Sequence, residues 1–207
     1  MIKLYTFCFG SIVLLKNDHG ALPLTPGPTR VAIFGKASLE INTGGTGSGD
    51  VNEAYSVSII RGLQEAGFVL NEELLKVYSG YLKSGSDDWL RRQHISPRAS
   101  VPELTLDKAL IDKIVRNADI ARVTIGRNSG EFRDRSVEGD FNLTGAEMNL
   151  IKTVTEAFRA AGKKSVVILN IGGVVEMASW KDMPDAILLA WQAGQESGHA
   201  IGDVTSG

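Results

Sequence analysis

Short apolar runs alternate along the chain with segments in which apolar residues recur at helical spacing. The runs typical of strands are 30–35, 67–70, 120–125, 164–170 and 186–191. The helical segments are 51–66, 72–83, 106–117, 145–161, a short one near 174–178, and one from about 194 to 204. Apolar strands without polar alternation, joined by helices, are typical of a parallel sheet covered on both faces. The pattern predicts an α/β fold, a three-layer α/β/α sandwich with a mostly parallel sheet.

Such a sheet holds its ligands beyond the carboxyl ends of its strands. Four polar segments follow predicted strands and are expected to meet at that edge: 35–50, 126–140, 170–173 and 191–196. Residues 84–102 are polar and irregular, which favours an insertion or a long surface loop. Residues 1–15 combine an early lysine with an apolar run and so imitate a secretory signal, but they lack a small-x-small cleavage site. We expect a buried first element there.

The composition narrows the function. A chain of 207 residues, 43% hydrophobic and 22% charged, is large enough for one globular domain. A net charge of -2 without a long basic run argues against nucleic-acid and acidic-membrane partners, and a small neutral or sugar-like ligand fits better. The single cysteine, Cys8, excludes an internal disulfide, and the three histidines lack zinc-ligand spacing. We therefore expect neither a metal nor another cofactor.

The glycine-rich stretch 44–49 (Gly-Gly-Thr-Gly-Ser-Gly) allows three interpretations. Backbone N–H groups at a helix start can bind phosphate, but neither the P-loop nor the dinucleotide pattern is present. The stretch can also be a tight strand-to-helix turn. In the third interpretation, the loop lets Ser48 approach a sugar hydroxyl.

The segment 126–140 is dense in charged residues, which could pair with one another as a solvated ion-pair network. In the functional alternative, Gly130 lets the backbone turn so that Glu131 projects from the sheet edge. The residues expected to support that loop are Arg127, Asp134, Arg135 and Asp140. A carboxylic acid in that place could donate a proton to a departing oxygen, provided that partial burial raises its pKa.

The tryptophans and His199 have plainer interpretations. Trp180 and Trp191 can be core aromatics or can contact a carbohydrate, and His199 is expected to be a satisfied helical histidine rather than a base. No Gly-x-Ser-x-Gly elbow is present, which argues against an esterase.

Eleven short segments of the chain, in this order, carry a resemblance to a known family. They are 11–17, 21–24, 31–35, 44–49, 125–131, 134–135, 139–140, 143–144, 169–173, 179–180 and 186–198. Together they resemble the C-terminal α/β sandwich domain of glycoside hydrolase family 3, which contains β-glucosidases, β-xylosidases and exo-glucanases. The resemblance covers 11–207 and leaves 1–10 as an atypical N-terminal segment.

The resemblance implies retaining hydrolysis of terminal β-linked glucosyl or related residues. Such chemistry uses two carboxyl groups about 5 Å apart, one as nucleophile and one as acid and then base. In the family, an aspartate of a separate N-terminal barrel domain is the nucleophile, and the sandwich lends the acid/base glutamate. The residue here that matches this glutamate is Glu131, and Ser48 would contact the sugar.

No barrel domain is contained in these residues, so we expect a fragment, a truncated gene product or a split protein that is inactive alone. Its partners would be a β-glucoside or related oligosaccharide and a barrel domain. The surface that faces the barrel would be exposed, which predicts self-association. The alternative is a non-catalytic carbohydrate-binding or partner-docking module.

Overall fold

The computed structural model describes residues 9–25, 28–45, 48, 52–92, 101–128 and 134–207, and of 86–92 it describes the backbone alone. The described residues form one six-stranded sheet with helices on both faces. The strands are β1 (Val13–Asn17), β2 (Arg30–Phe34), β3 (Val69–Leu70), β4 (Ile120–Arg127), β5 (Lys164–Ile171) and β6 (Ala186–Leu189). The helices are α1 (Ile59–Glu65), α2 (Glu72–Arg92), α3 (Lys108–Asn117), α4 (Gly145–Ala160) and α5 (Ser197–Ser206).

The strand order is β1-β6-β5-β4-β2-β3, and β1 alone runs antiparallel to its neighbour. The central strands β4 and β5 are buried on both faces, as their continuous apolar sequence predicts. One face packs against α2, α3 and α4, and the other packs against α1 and α5. The predicted three-layer α/β/α sandwich is confirmed.

Helices α1 and α5 touch through their backbones. A Cβ atom added to Gly62 would lie 1.8 Å from the carbonyl oxygen of Gly198, and one added to Gly202 would lie 2.6 Å from the carbonyl oxygen of Gly62. No heavy atom fits at these distances, so glycine is required where the helices cross.

Four element predictions differ from the structure. The helix predicted over 51–66 begins only at Ile59, after the capping side chain of Ser58. Helix α2 continues to Arg92, so the first half of the predicted loop 84–102 is helical. The prediction of a short helix near 174–178 is wrong, because residues 174–177 have no regular secondary structure and a turn begins at residue 178.

The fourth difference concerns the first element. Val13, Leu14 and Leu15 of β1 are 44–47% exposed, because β1 is an edge strand whose neighbour in the sheet is β6. The expectation of a buried first element is wrong for these residues. None of the described helices is long and apolar enough to cross a membrane.

Among the described residues, the core contains an arginine without an ion-pair partner. Arg122 lies in the middle of β4 and is completely buried, with its guanidinium carbon 4.9 Å from the centre of the Phe68 ring. None of its three guanidinium nitrogens has a hydrogen-bond acceptor in the part of the chain that the structure describes. Burial lowers the pKa of Arg122 to about 9. The buried charge of Arg122 therefore lowers the free energy of unfolding.

We expect Arg122→Met to raise the free energy of unfolding at pH 7 by about 2 kcal/mol, because an apolar side chain of similar length replaces an unpaired buried charge. Between the folded pKa of about 9 and the higher ordinary pKa of an arginine in the unfolded chain, the unfolded chain binds more protons. Wild-type stability should therefore approach that of the variant as the pH rises above about 9.

Urea unfolding of both proteins measures this difference. The matched control is Arg116→Met on the exposed side of α3, which should change the free energy by less than about 0.5 kcal/mol. A loss of stability in Arg122→Met would contradict the expected cost of the buried charge.

Candidate active-site rim

One buried amide joins three of the segments that follow strands. Asn170, near the end of β5, accepts a hydrogen bond from the Asn42 backbone N–H at 2.7 Å. Its Nδ2 donates to the carbonyl oxygen of Asn42 at 2.9 Å and to that of Trp191 at 2.6 Å. Asn170 therefore fixes the segments after β2 and β6 against the end of β5.

A second amide extends this contact to β4. Gln192 Nε2 donates to the Gly44 carbonyl oxygen at 2.9 Å and to Asn128 Oδ1 at 2.8 Å. The Gly194 backbone N–H donates to the Thr43 carbonyl oxygen at 2.9 Å. The described residues of 35–50, 126–140, 170–173 and 191–196 thus meet at one edge of the sheet, as predicted. We call these described residues the carboxyl-end rim.

Ser48 belongs to the segment 35–50, in the glycine-rich stretch, and it is exposed. Helix α1 begins at Ile59, and residues 46–47 and 49–51 lie outside the described residues. The phosphate-binding interpretation depends on a helix start behind the loop, and it and the tight-turn interpretation both stay predictions. A contact between Ser48 and a sugar stays a prediction.

Arg127 binds a buried carboxylate below the rim. Its two terminal nitrogens lie 2.5 and 2.6 Å from the two carboxylate oxygens of Glu147, and its Nε donates to the Asp140 carbonyl oxygen at 3.0 Å. Burial raises the pKa of Glu147, but the hydrogen bonds and charge of Arg127 and the bonds from Thr144 outweigh it, so the pKa lies below its ordinary value. The ionised pair fixes the 134–141 segment to the start of α4.

Glu147 was missed as a candidate from the sequence alone. It is the third residue of α4 and forms a capping box with Thr144, whose backbone N–H and hydroxyl both donate to Oε2 at 2.8 Å. The signal was present, because Thr-x-x-Glu before an apolar helical run is the sequence pattern of a capping box.

Arg135 organises the other side of the same segment. Its Nε donates to Asp140 Oδ1 at 2.9 Å, and its Nη1 donates to the Val174 carbonyl oxygen. A Cβ atom on Gly173 would lie 2.7 Å from Nη1, so glycine leaves room for the guanidinium. Asp134 is exposed and makes no ion pair with any other described residue.

Glu131, the predicted catalytic residue, lies outside the described residues. The chain on both sides of it is held: Asn128 accepts the bond from Gln192, and Arg135 bridges Asp140 and Val174. Arg127, before the undescribed stretch, and Arg135, after it, both donate hydrogen bonds to Asp140, and Asp134 is the first described residue after it. That these four residues support Glu131 stays a prediction.

The tryptophans occupy different environments. Trp180 is buried in the core, and its indole N–H donates to the Glu176 carbonyl oxygen at 2.7 Å, which agrees with the structural interpretation. Trp191 is 36% exposed at the rim, with its backbone in the left-handed region at a φ of 53°. His199 has both ring nitrogens hydrogen-bonded, as predicted for a satisfied histidine.

Replacing Asn170 tests how the rim is held together. We expect Asn170→Ala to lower the free energy of unfolding by about 2 kcal/mol, because the backbone groups of Asn42 and Trp191 lose three hydrogen bonds to the buried amide. The control is Asn149→Ala on the exposed side of α4. Equal losses in the two variants, measured by urea unfolding, would mean that the Asn170 amide does not stabilise the rim.

Comparison with known proteins gives a consistent set of relatives. The model of the glycosyl hydrolase family 3 C-terminal domain matches residues 12–207. A β-glucosidase of Ruminococcus albus is 33% identical over 201 residues, which is 96% of this chain and 20% of that protein. β-Glucosidase A of Butyrivibrio fibrisolvens is 33% identical over 223 residues, which is 95% of this chain and 26% of that protein.

Solved structures agree with the sequence comparisons. The structure of β-glucosidase 3B from Thermotoga neapolitana in complex with glucose superposes with a TM-score of 0.89 at 42% identity, covering 98% of this chain and 28% of that one. The structure of a β-glucosidase from Paenibacillus barengoltzii gives a TM-score of 0.88 at 29% identity, covering 99% of this chain and 22% of that one. The chain spans about a fifth to a quarter of the relatives that it matches.

Proposed function

Because the chain belongs to glycoside hydrolase family 3, as its C-terminal domain, we propose that it supplies the proton-donating carboxyl group of a β-glucosidase-type hydrolase. The group is the Glu131 side chain, and the substrate is a terminal β-linked glucoside or a related oligosaccharide. The observation that carries the proposal is the rim itself. It brings residues 42–44, Asn128 and the described chain on both sides of Glu131 to the edge where α/β sheets bind their ligands.

In the proposed reaction, a barrel domain supplies an aspartate nucleophile. The aspartate attacks the anomeric carbon while the Glu131 carboxyl group gives its proton to the departing glycosidic oxygen, so that no alkoxide is released. A covalent glycosyl ester and a Glu131 carboxylate remain. The carboxylate then takes a proton from a water molecule, which attacks the ester and releases the sugar with its original anomeric configuration.

The other rim residues have supporting roles in this proposal. Ser48 contacts the sugar next to the cleaved bond, and Arg127, Asp134, Arg135 and Asp140 hold the Glu131 loop. The Arg127–Glu147 pair is suited to this role because both side chains are almost fully buried and joined by two hydrogen bonds. Self-association through the surface that would face the barrel also remains a prediction.

The proposal is tested by mixing this chain with the barrel domain of a family 3 β-glucosidase and following hydrolysis of p-nitrophenyl β-glucoside. We expect turnover in the mixture and none with either part alone, since each part holds one of the two carboxyl groups. Sugar binding by this chain without activity in any mixture would instead indicate a non-catalytic carbohydrate-binding module.

A further inference from the structure

A chain of charged hydrogen bonds extends from the rim residue Glu196 to α1 and α5. We call it the His199 cluster, which consists of Tyr55, Arg61, Glu65, Glu196 and His199. His199 Nδ1 lies 2.6 Å from Glu196 Oε2, and His199 Nε2 lies 2.6 Å from Glu65 Oε2. The second oxygen of Glu65 accepts from Arg61 Nε at 2.7 Å, and the second oxygen of Glu196 accepts from the Tyr55 hydroxyl.

The geometry requires a protonated ring. Hydrogen bonds from Tyr55 and His199 lower the pKa of Glu196, and bonds from Arg61 and His199 lower the pKa of Glu65, so both groups are ionised at neutral pH and can only accept. Both ring nitrogens of His199 must then donate, which only the imidazolium does. Burial lowers the pKa of His199, but the bonds and charges of Glu196 and Glu65 outweigh it, and the pKa is raised.

The cluster is attached to the segment that follows Ser48. Tyr55 belongs to 52–58, the described stretch that leads into α1. The Val57 backbone N–H donates to the Gln195 carbonyl oxygen at 2.8 Å, and the Gly198 N–H donates to the Val57 carbonyl oxygen at 3.1 Å. The stretch 52–58 therefore lies against the residues on both sides of Glu196.

We propose that the imidazolium of His199 is a positioning residue for sugar binding. It fixes Glu196, which holds Tyr55 and the rest of the 52–58 segment, and this segment follows Ser48 along the chain. The inference rests on the proposed contact between Ser48 and the sugar. It adds a residue that never touches the sugar but sets where Ser48 lies. The charged groups that face the ring are Glu196, from the turn before α5, and Glu65, from α1, with Arg61 and Tyr55 behind them.

The direction of the pH dependence follows from the raised pKa. The stabilisation is complete below the unfolded histidine pKa of about 6.5 and is lost as the pH rises through the folded pKa. A neutral imidazole has one N–H, so one carboxylate then faces a lone pair. Sugar affinity is therefore expected to fall on the alkaline side, through KM rather than kcat.

Amide hydrogen exchange on the 207-residue chain tests the positioning role, with the His199 pKa followed by NMR. We expect the protection of the Val57 amide, corrected for intrinsic exchange, to fall with the titration of His199. The fall should be about tenfold for each unit by which the folded pKa exceeds the unfolded one. Amides of α4 should keep their protection over the same range.

Three variants sharpen the test. His199→Gln should show low protection of Val57 at every pH. Tyr55→Phe should also show low protection of Val57 at every pH, although His199 is kept and still titrates. His19→Asn replaces an exposed histidine of a distant turn and should behave as wild type. Protection of Val57 that is equal in wild type and His199→Gln, or that is constant through the titration of His199, would overturn the inference.

Activity of the mixture with a barrel domain separates this inference from the proposed function. Both Ser48→Ala and His199→Gln are expected to raise KM with little change in kcat. An unchanged KM in Ser48→Ala would contradict the proposed sugar contact. A raised KM in Ser48→Ala together with an unchanged KM in His199→Gln would contradict the positioning role alone.

Discussion

Replacing Glu131 by glutamine is expected to lower kcat for an unactivated β-glucoside by about 100- to 10,000-fold in the enzyme reconstituted with a barrel domain. An amide of nearly the same shape can neither donate a proton to the glycosidic oxygen nor take one from water. KM should change little, because the bulk of the side chain is kept.

The leaving group should set how large the effect is. A nitrophenolate needs little help from an acid, so the first step with p-nitrophenyl β-glucoside should be much less affected than the first step with an alkyl glucoside. The matched control is Glu138→Gln, an exposed glutamate of the same segment, which should keep wild-type kcat. Equal kcat values in Glu131→Gln and Glu138→Gln would contradict the assignment of Glu131.

The second large effect concerns folding. Gly62→Ala is expected to lower the free energy of unfolding by at least about 3 kcal/mol, since its Cβ would lie 1.8 Å from the Gly198 carbonyl oxygen. Both atoms near the clash belong to backbone, so no side-chain rotation relieves it, and α1 and α5 must separate. Urea unfolding measures the loss.

The same substitution elsewhere should have the opposite sign. Gly80 lies inside α2 with no heavy atom within 4 Å of an added Cβ, so Gly80→Ala should stabilise the protein by about 1 kcal/mol through helix propensity. If Gly62→Ala were as stable as Gly80→Ala, the close approach of α1 and α5 would be wrong.

The contrast between these glycines also shows what the sequence could predict. Both stand in helical segments of similar apolar spacing, and nothing local distinguishes them. The requirement at Gly62 arises from Gly198, more than a hundred positions away along the chain, so it depends on a packing contact that periodicity does not encode. The sheet, by contrast, could be predicted because β4 and β5 carry their own signal in continuous apolar runs.

The helix predicted over 51–66 failed for a related reason. Val57 fits the helical pattern and is buried, yet it lies in the irregular segment before α1, where its backbone is hydrogen-bonded to the turn before α5 and to the start of that helix. Its burial comes from a tertiary contact rather than from a helix face. Ser58 caps the N-terminus of α1 and is a local signal of the helix start, but the spacing of apolar residues does not include this signal.

The rim was predicted as a meeting point of four segments, because the carboxyl ends of parallel strands lie at one edge. The side chains that join the segments were not predicted. Asn170 and Gln192 act across distances in sequence of 128 and 148 residues, and a single amide in a sequence has no signature of such a role. Glu147 could have been predicted, because its capping box is recognisable from four consecutive residues of the sequence.

Azide rescue of Glu131→Ala tests the central claim most directly, with the variant chain mixed with a barrel domain and an aryl β-glucoside as substrate. Azide is a nucleophile that needs no base, so it can replace water in the second step when the Glu131 carboxylate is missing. We predict that azide restores turnover in Glu131→Ala and that the product is the β-glucosyl azide, as retention requires. Turnover in Glu131→Ala that equals wild type without azide, or that azide leaves unchanged, would contradict the claim that this domain contributes the acid/base carboxyl group through Glu131.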